Sequence, residues 1–128
     1  MRLVVSFAVA ATLMAQGAAA QTAPSQTAAA DLMKGKSAFA TCAVCHSDVP
    51  GKNGIGPSLS GVVGRDAGTA PGFKYSAAMK TAGKWTPEKL DAFIAAPKTA
   101  VPGTTMPFGG LKDAAKRAAL VAYLGTLK

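Results

Sequence analysis

Cys42-Ala43-Val44-Cys45-His46 decides how this chain is read. Two thiols three positions apart, followed at once by an imidazole, form the attachment signature of a c-type haem. Each thiol adds to one vinyl group of the porphyrin, and the next residue's imidazole is set under the iron. The sequence holds 2 Cys and 1 His, so this motif uses all of them. Other uses of paired cysteines fit less well. A redox-active dithiol wants a strand–turn–helix setting, which the surrounding residues do not supply. A disulfide between residues three apart staples almost nothing. A structural zinc needs a fourth ligand, and no further Cys or His exists.

Haem iron has a second axial position. With no second His, the soft candidates are Met33, Met79 and Met106. Met106 lies in Pro102-Gly103-Thr104-Thr105-Met106-Pro107-Phe108, where the prolines keep the backbone extended and stiff. Met33 and Met79 fall on predicted helices, where a methionine is usually core. A thioether favours the reduced iron, so His46/Met106 ligation raises the potential. An iron filled on both faces passes electrons but offers no open site to oxygen or substrate. The expectation is a carrier and not an enzyme.

Outside the motif, the 128 residues allow one domain. Arg2, the apolar run Leu3–Met14 and Ala18-Ala19-Ala20 read as a secretory signal peptide over residues 1–20. The run is too short to span a bilayer, which needs about 20 residues. Residues 21–30, rich in Ala, Thr, Ser, Gln and Pro, read as a flexible leader to a domain at 31–128. Export places the thiols in an oxidising compartment, the periplasm. Formal net charge is +8, carried by lysines spread singly without interleaved aromatics. That pattern argues against nucleic acid and for steering toward acidic partners or anionic membrane surfaces.

The fold class is all-α, because helical patterning dominates and no alternating run reads as a strand. A first helix is predicted from Asp31 to Thr41, with Gly35 inside it admitting another backbone. Ser47–Gly72 carries too much Gly for helix or sheet and needs a rigid object to wrap. Ser76–Ala82 makes a short helix. Thr86 caps another, with Pro87 at its first position and Pro97 as its stop. Asp113 caps the last, which buries Leu120, Val121, Leu124 and Leu127. Aromatics are 6% of the residues, so apolar material is thin and a haem at the centre supplies what the side chains lack.

Several segments resemble class I cytochrome c, close to mitochondrial cytochrome c and its bacterial relatives. They are Gly35…Phe39, the haem motif, Gly56-Pro57-Ser58-Leu59, Gly61-Val62-Val63-Gly64-Arg65, Ala67 to Ser76, Trp85, Pro97, Pro102 to Met106, and Leu120 to Leu124. The resemblance spans residues 31–128. It implies a small fold of four to five helices around one covalently bound haem, with the first and last helices crossing near Gly35, Phe39 and Tyr123-Leu124. It implies that the Pro57 carbonyl accepts a hydrogen bond from the His46 ring. It implies that Arg65, Tyr75, Trp85 and Thr104 lie near the haem propionates, joined by Ser76. There are departures. Phe93 stands where the family commonly has Tyr behind the axial Met, and Met79 where Asn is common. Thr41, Thr99 and Thr105 occupy lysine-type positions, while Lys98 remains.

The function expected is a soluble, monomeric, periplasmic one-electron carrier. Its partners would be membrane or periplasmic redox proteins, such as a quinol:cytochrome c reductase and a terminal oxidase of a respiratory chain. Two other readings compete. The chain would be an electron-transfer subunit of a larger oxidoreductase, or Met106 would detach for peroxidase-like or gas-binding chemistry, for which no distal His is available.

Overall fold

The computed structural model describes residues 23–128, so the leader read at residues 1–20 lies outside the described residues. Among these there are five helices: α1 Ala23–Cys42, α2 Ala77–Lys80, α3 Pro87–Ala95, α4 Pro97–Ala100 and α5 Ala114–Leu124. They contain no strand, only an isolated bridge between Asp66 and Lys84.

The capping residues act where their chemistry places them. Ser76, Thr86 and Asp113 each accept a hydrogen bond from the backbone N–H three residues on, and Pro87 occupies the first turn of α3. The helix expected over Ser76–Ala82 is α2, shorter at both ends with Ser76 as its cap, and three further boundaries differ from the sequence expectation. The helix expected from Asp31 begins at Ala23, taking in most of the stretch expected to be flexible at 21–30. Alanines at 23 and 28–30 extend a helix at the least cost of any residue. Asp31 is therefore no cap; its carboxylate pairs with Lys34 at 3.3 Å. Pro97, expected only to stop α3, also starts the one-turn α4, because a fixed φ suits a first turn as well as it forbids an interior. Finally, α5 ends at Leu124. Leu127 packs half-buried beyond it, its N–H on the Leu124 carbonyl. Met33, expected as core, is 74% exposed.

The core gathers Phe39 of α1, Leu90, Phe93 and Ile94 of α3, and Leu120, Val121 and Leu124 of α5, with Val62, Ala67, Trp85 and Val101 from the connecting segments. The crossing of α1 and α5 sets its shape. Gly35 lies buried at that crossing, where a Cβ would land on the Ala119 carbonyl oxygen and 2.7 Å from Tyr123 Cβ. One turn on, the Phe39 and Tyr123 rings meet at 5.5 Å. The close approach carries the C-terminal end of α1, and Cys42 with it, against the centre of the molecule.

The stretch from Ser47 to Gly72 is a chain of turns held by side chains. Asn53 ties three parts of it: Oδ1 accepts from Ser58 N–H at 2.9 Å and Nδ2 donates to the Pro71 carbonyl at 2.8 Å. Ser58, buried, donates its hydroxyl to the Val49 carbonyl at 2.7 Å. These bonds take the place of a regular ladder in satisfying the backbone.

Candidate haem-binding site

The last turn of α1 delivers the motif. The N–H groups of Cys45 and His46 both donate to the Cys42 carbonyl, at 3.0 and 2.9 Å, so helix and motif are continuous. Cys42 and Cys45 are both half-buried. Burial pushes the Cys42 thiol up, and the neighbouring Cys45 adds to the effect.

His46 is held from two sides. Its Nδ1–H donates to the Pro57 carbonyl at 2.7 Å. The backbone of Gly56 lies against the ring, where a Cβ would stand 2.7 Å from Nδ1 and 2.9 Å from Nε2. Gly56 is pinned in turn, its N–H on the Cys45 carbonyl at 2.8 Å. With Nδ1 committed, the neutral imidazole has its lone pair on Nε2, the nitrogen left for a metal. Burial pulls the His46 pKa down first. The Pro57 bond opposes this, and the nearby Arg65 charge lowers it again. The balance keeps the ring an uncharged donor to lower pH than a free imidazole.

Arg65 is tied to the same turn, donating to the Ser60 carbonyl at 3.0 Å and the Ser58 carbonyl at 3.1 Å. Its own carbonyl accepts from Trp85 N–H at 2.8 Å. Trp85 is buried, its ring 5.0 Å from that of Phe93. Backbone and side-chain bonds thus join Cys45, His46, Pro57, Arg65 and Trp85. The remaining expected site residues use their hydroxyls locally. Tyr75 Oη accepts from Ala70 N–H at 3.2 Å, Ser76 caps α2, and Thr104 Oγ1 accepts from Met106 N–H at 3.4 Å. Met106 is half-buried, packed at the edge of the core with Leu59, Val63, Met79, Phe108 and Leu111. A cavity of about 740 Å³ runs from Cys42 past Ile94 to Phe108 and Leu111, between α1 and α5.

Two thiols can hold a porphyrin through its vinyl groups, and an imidazole with one free nitrogen can ligate its iron. Half-buried apolar residues at the edge of the core, Met106 among them, leave apolar surface that a flat apolar ring system could cover. The residues fit haem c. Residues 32–128 match the family model described as Cytochrome c. The chain belongs to the cytochrome c family.

The relatives agree in kind. Cytochrome c2 of Rhodopila globiformis is 49% identical over 77% of this chain and 94% of its own length. The cytochrome c-type cyt cy of Rhodobacter capsulatus is 56% identical over 68% of this chain, which spans only 44% of that protein. Among solved structures, cytochrome cH from Methylobacterium extorquens aligns with a TM-score of 0.70 at 45% identity, covering 75% of this chain and 98% of that one. This cytochrome is therefore of class I, an electron carrier and not an enzyme, and its haem c is attached through Cys42 and Cys45.

The sequence reading assigned no role to Gly56 or Asn53. Gly56 backs the His46 ring, and the signal for it was its place immediately before Pro57 in a Gly-rich turn. Asn53 organises that turn from a distance, through Pro71, and nothing local announces it.

Proposed function

We propose that this cytochrome carries single electrons with His46 and Met106 as the axial ligands of its haem iron, after export to the periplasm and removal of residues 1–20. The observation that carries this reading is the His46 Nδ1–Pro57 bond, which fixes the tautomer an axial imidazole needs. When bound, haem c supplies a one-electron couple. Cys42 and Cys45 fix its position, and His46, held by Pro57 and Gly56, keeps one ligand in place in both redox states. Met106 closes the opposite face. A frame that moves little between the two states suits rapid electron transfer. Arg65, Trp85, Tyr75, Thr104 and Ser76 are the proposed surroundings of the propionates. Among the described residues no helix is long and apolar enough to cross a membrane. The basic charge favours acidic redox partners, such as a quinol:cytochrome c reductase and a terminal oxidase.

Carbon monoxide separates this carrier from a gas-binding protein, because it takes only an iron with a free position. With Met106 off the iron in about 1% of molecules, Met106→Ala raises the apparent affinity of the reduced protein about 100-fold. Rapid, tight binding by the parent protein, unchanged in Met106→Ala, would refute the closed iron.

A further inference from the structure

The segment that carries Met106 is weakly bonded within itself. Between Thr104 and Gly109 its internal hydrogen bonds are Met106 N–H to Thr104 Oγ1 at 3.4 Å and Phe108 N–H to the Met106 carbonyl at 3.0 Å. Its C-terminal end is different. Leu111 N–H donates to the Ile94 carbonyl at 2.9 Å, and Lys112 Nζ donates to the Ala95 carbonyl at 2.7 Å. Gly110, at φ +103°, passes so close to the end of α3 that a Cβ would overlap the Ala95 carbonyl. One side chain ties this junction together. The Arg117 guanidinium, on α5, donates from Nε to Asp91 Oδ1 of α3 at 2.9 Å. From Nη1 it donates to the Leu111 carbonyl at 2.9 Å and the Lys112 carbonyl at 3.0 Å. Its side chain is only 14% exposed. A planar fork meets these three acceptors from two separate nitrogens in a fixed geometry, a spread that the single nitrogen of a lysine does not match.

We propose that Arg117, oriented by Asp91, is a positioning residue for the methionine ligand: it fixes the Leu111–Lys112 end of the loop and so sets how rarely Met106 leaves the iron. This rests on the assignment of Met106 as the axial ligand. Without Arg117, two carbonyls and a carboxylate lose their common donor, and the Leu111 N–H and Lys112 Nζ bonds alone hold that end of the loop. Four residues separate Met106 from the anchored Leu111, too few to absorb the freedom this leaves.

The test is imidazole titration of the oxidised, full-length holoprotein, read by loss of the long-wavelength iron–sulfur band. Imidazole competes with the thioether and reports loop opening. Arg117→Leu is expected to bind imidazole about tenfold more tightly than the parent, the scale of losing hydrogen bonds from a charged group. Asp91→Asn, which leaves every backbone anchor in place, gives a smaller shift in the same direction and keeps the test open if Arg117→Leu does not fold. Arg117→Lys recovers part of the loss. Val121→Ala weakens the α5 core without touching the loop and is expected to leave imidazole binding at the parental value. The proposal is overturned if Arg117→Leu and Asp91→Asn both match the parent, or if Val121→Ala shifts binding as far as they do. A different failure marks the underlying assignment: Met106→Ala retaining the band shows that Met106 is not the ligand, whatever Arg117 does.

Discussion

Gly56→Val is expected to cut the yield of haem-bearing protein by about 10- to 100-fold, the range found when the groups that orient a metal ligand are disturbed. The cause is steric and local. The first atom of any side chain at this position lies within 3 Å of two ring nitrogens of His46. The ring cannot retreat, because its Nδ1 is bonded to the carbonyl of Pro57, the very next residue. Gly56 cannot retreat either, because its N–H is on Cys45 and its carbonyl accepts from Gly54 at 2.9 Å. A side chain at Gly56 therefore breaks the Pro57 bond or turns the imidazole away from the iron. Gly56 has no positive φ, so backbone strain does not contribute. The ratio of haem absorbance to total protein in the purified chain reads the outcome. Maturation of Gly56→Val at the parental level would show that the ring has room to move.

The second large effect is at Gly35, and its sign is informative. In an ordinary exposed helix, Gly→Ala stabilises by about 1 kcal/mol. At Gly35 the new methyl meets the Ala119 carbonyl and the Tyr123 Cβ, one of them backbone and both on a helix that cannot yield alone. Forcing α1 and α5 apart costs about 1–3 kcal/mol of overpacking and loosens the Phe39–Tyr123 contact at the same time. Gly35→Ala is thus destabilising despite its better helix propensity. Gly35→Leu removes the crossing altogether, a large fraction of the roughly 5–15 kcal/mol that holds a domain folded. Denaturant midpoints of the two variants measure this. A midpoint for Gly35→Ala above that of the parent would contradict the tight crossing.

What could be read beforehand divides by distance along the chain. The haem motif is legible because its three chemical groups are adjacent. The caps Thr86 and Asp113 are legible because each acts on an N–H three residues away. The crossing at Gly35 is legible as an exception, since a glycine inside a helix asks for a reason. The start of α1 is not: residues 21–30 have the composition of a leader and the alanines of a helix, and composition alone does not choose. Pro97 carries both a stop and a start in one residue, and the stop is the more familiar meaning. Asn53 to Pro71 and Arg117 to Asp91 join residues far apart in sequence. Both are polar side chains meeting backbone or a carboxylate, with no periodicity to betray them. Met33 faces solvent because most of α1's N-terminal half is exposed. A pattern argument that treats every helical methionine as core fails there.

The claim that most depends on the whole account is that one methionine, Met106, completes the coordination of the iron opposite His46. A methyl group held over the centre of a porphyrin feels its ring current, so proton spectra of the reduced protein with labelled methionine methyls test it directly. The expected result is a single methionine methyl displaced far upfield, absent in Met106→Ala and retained in Met79→Ala. No displaced methionine methyl, or one that vanishes with Met79 instead, would contradict it.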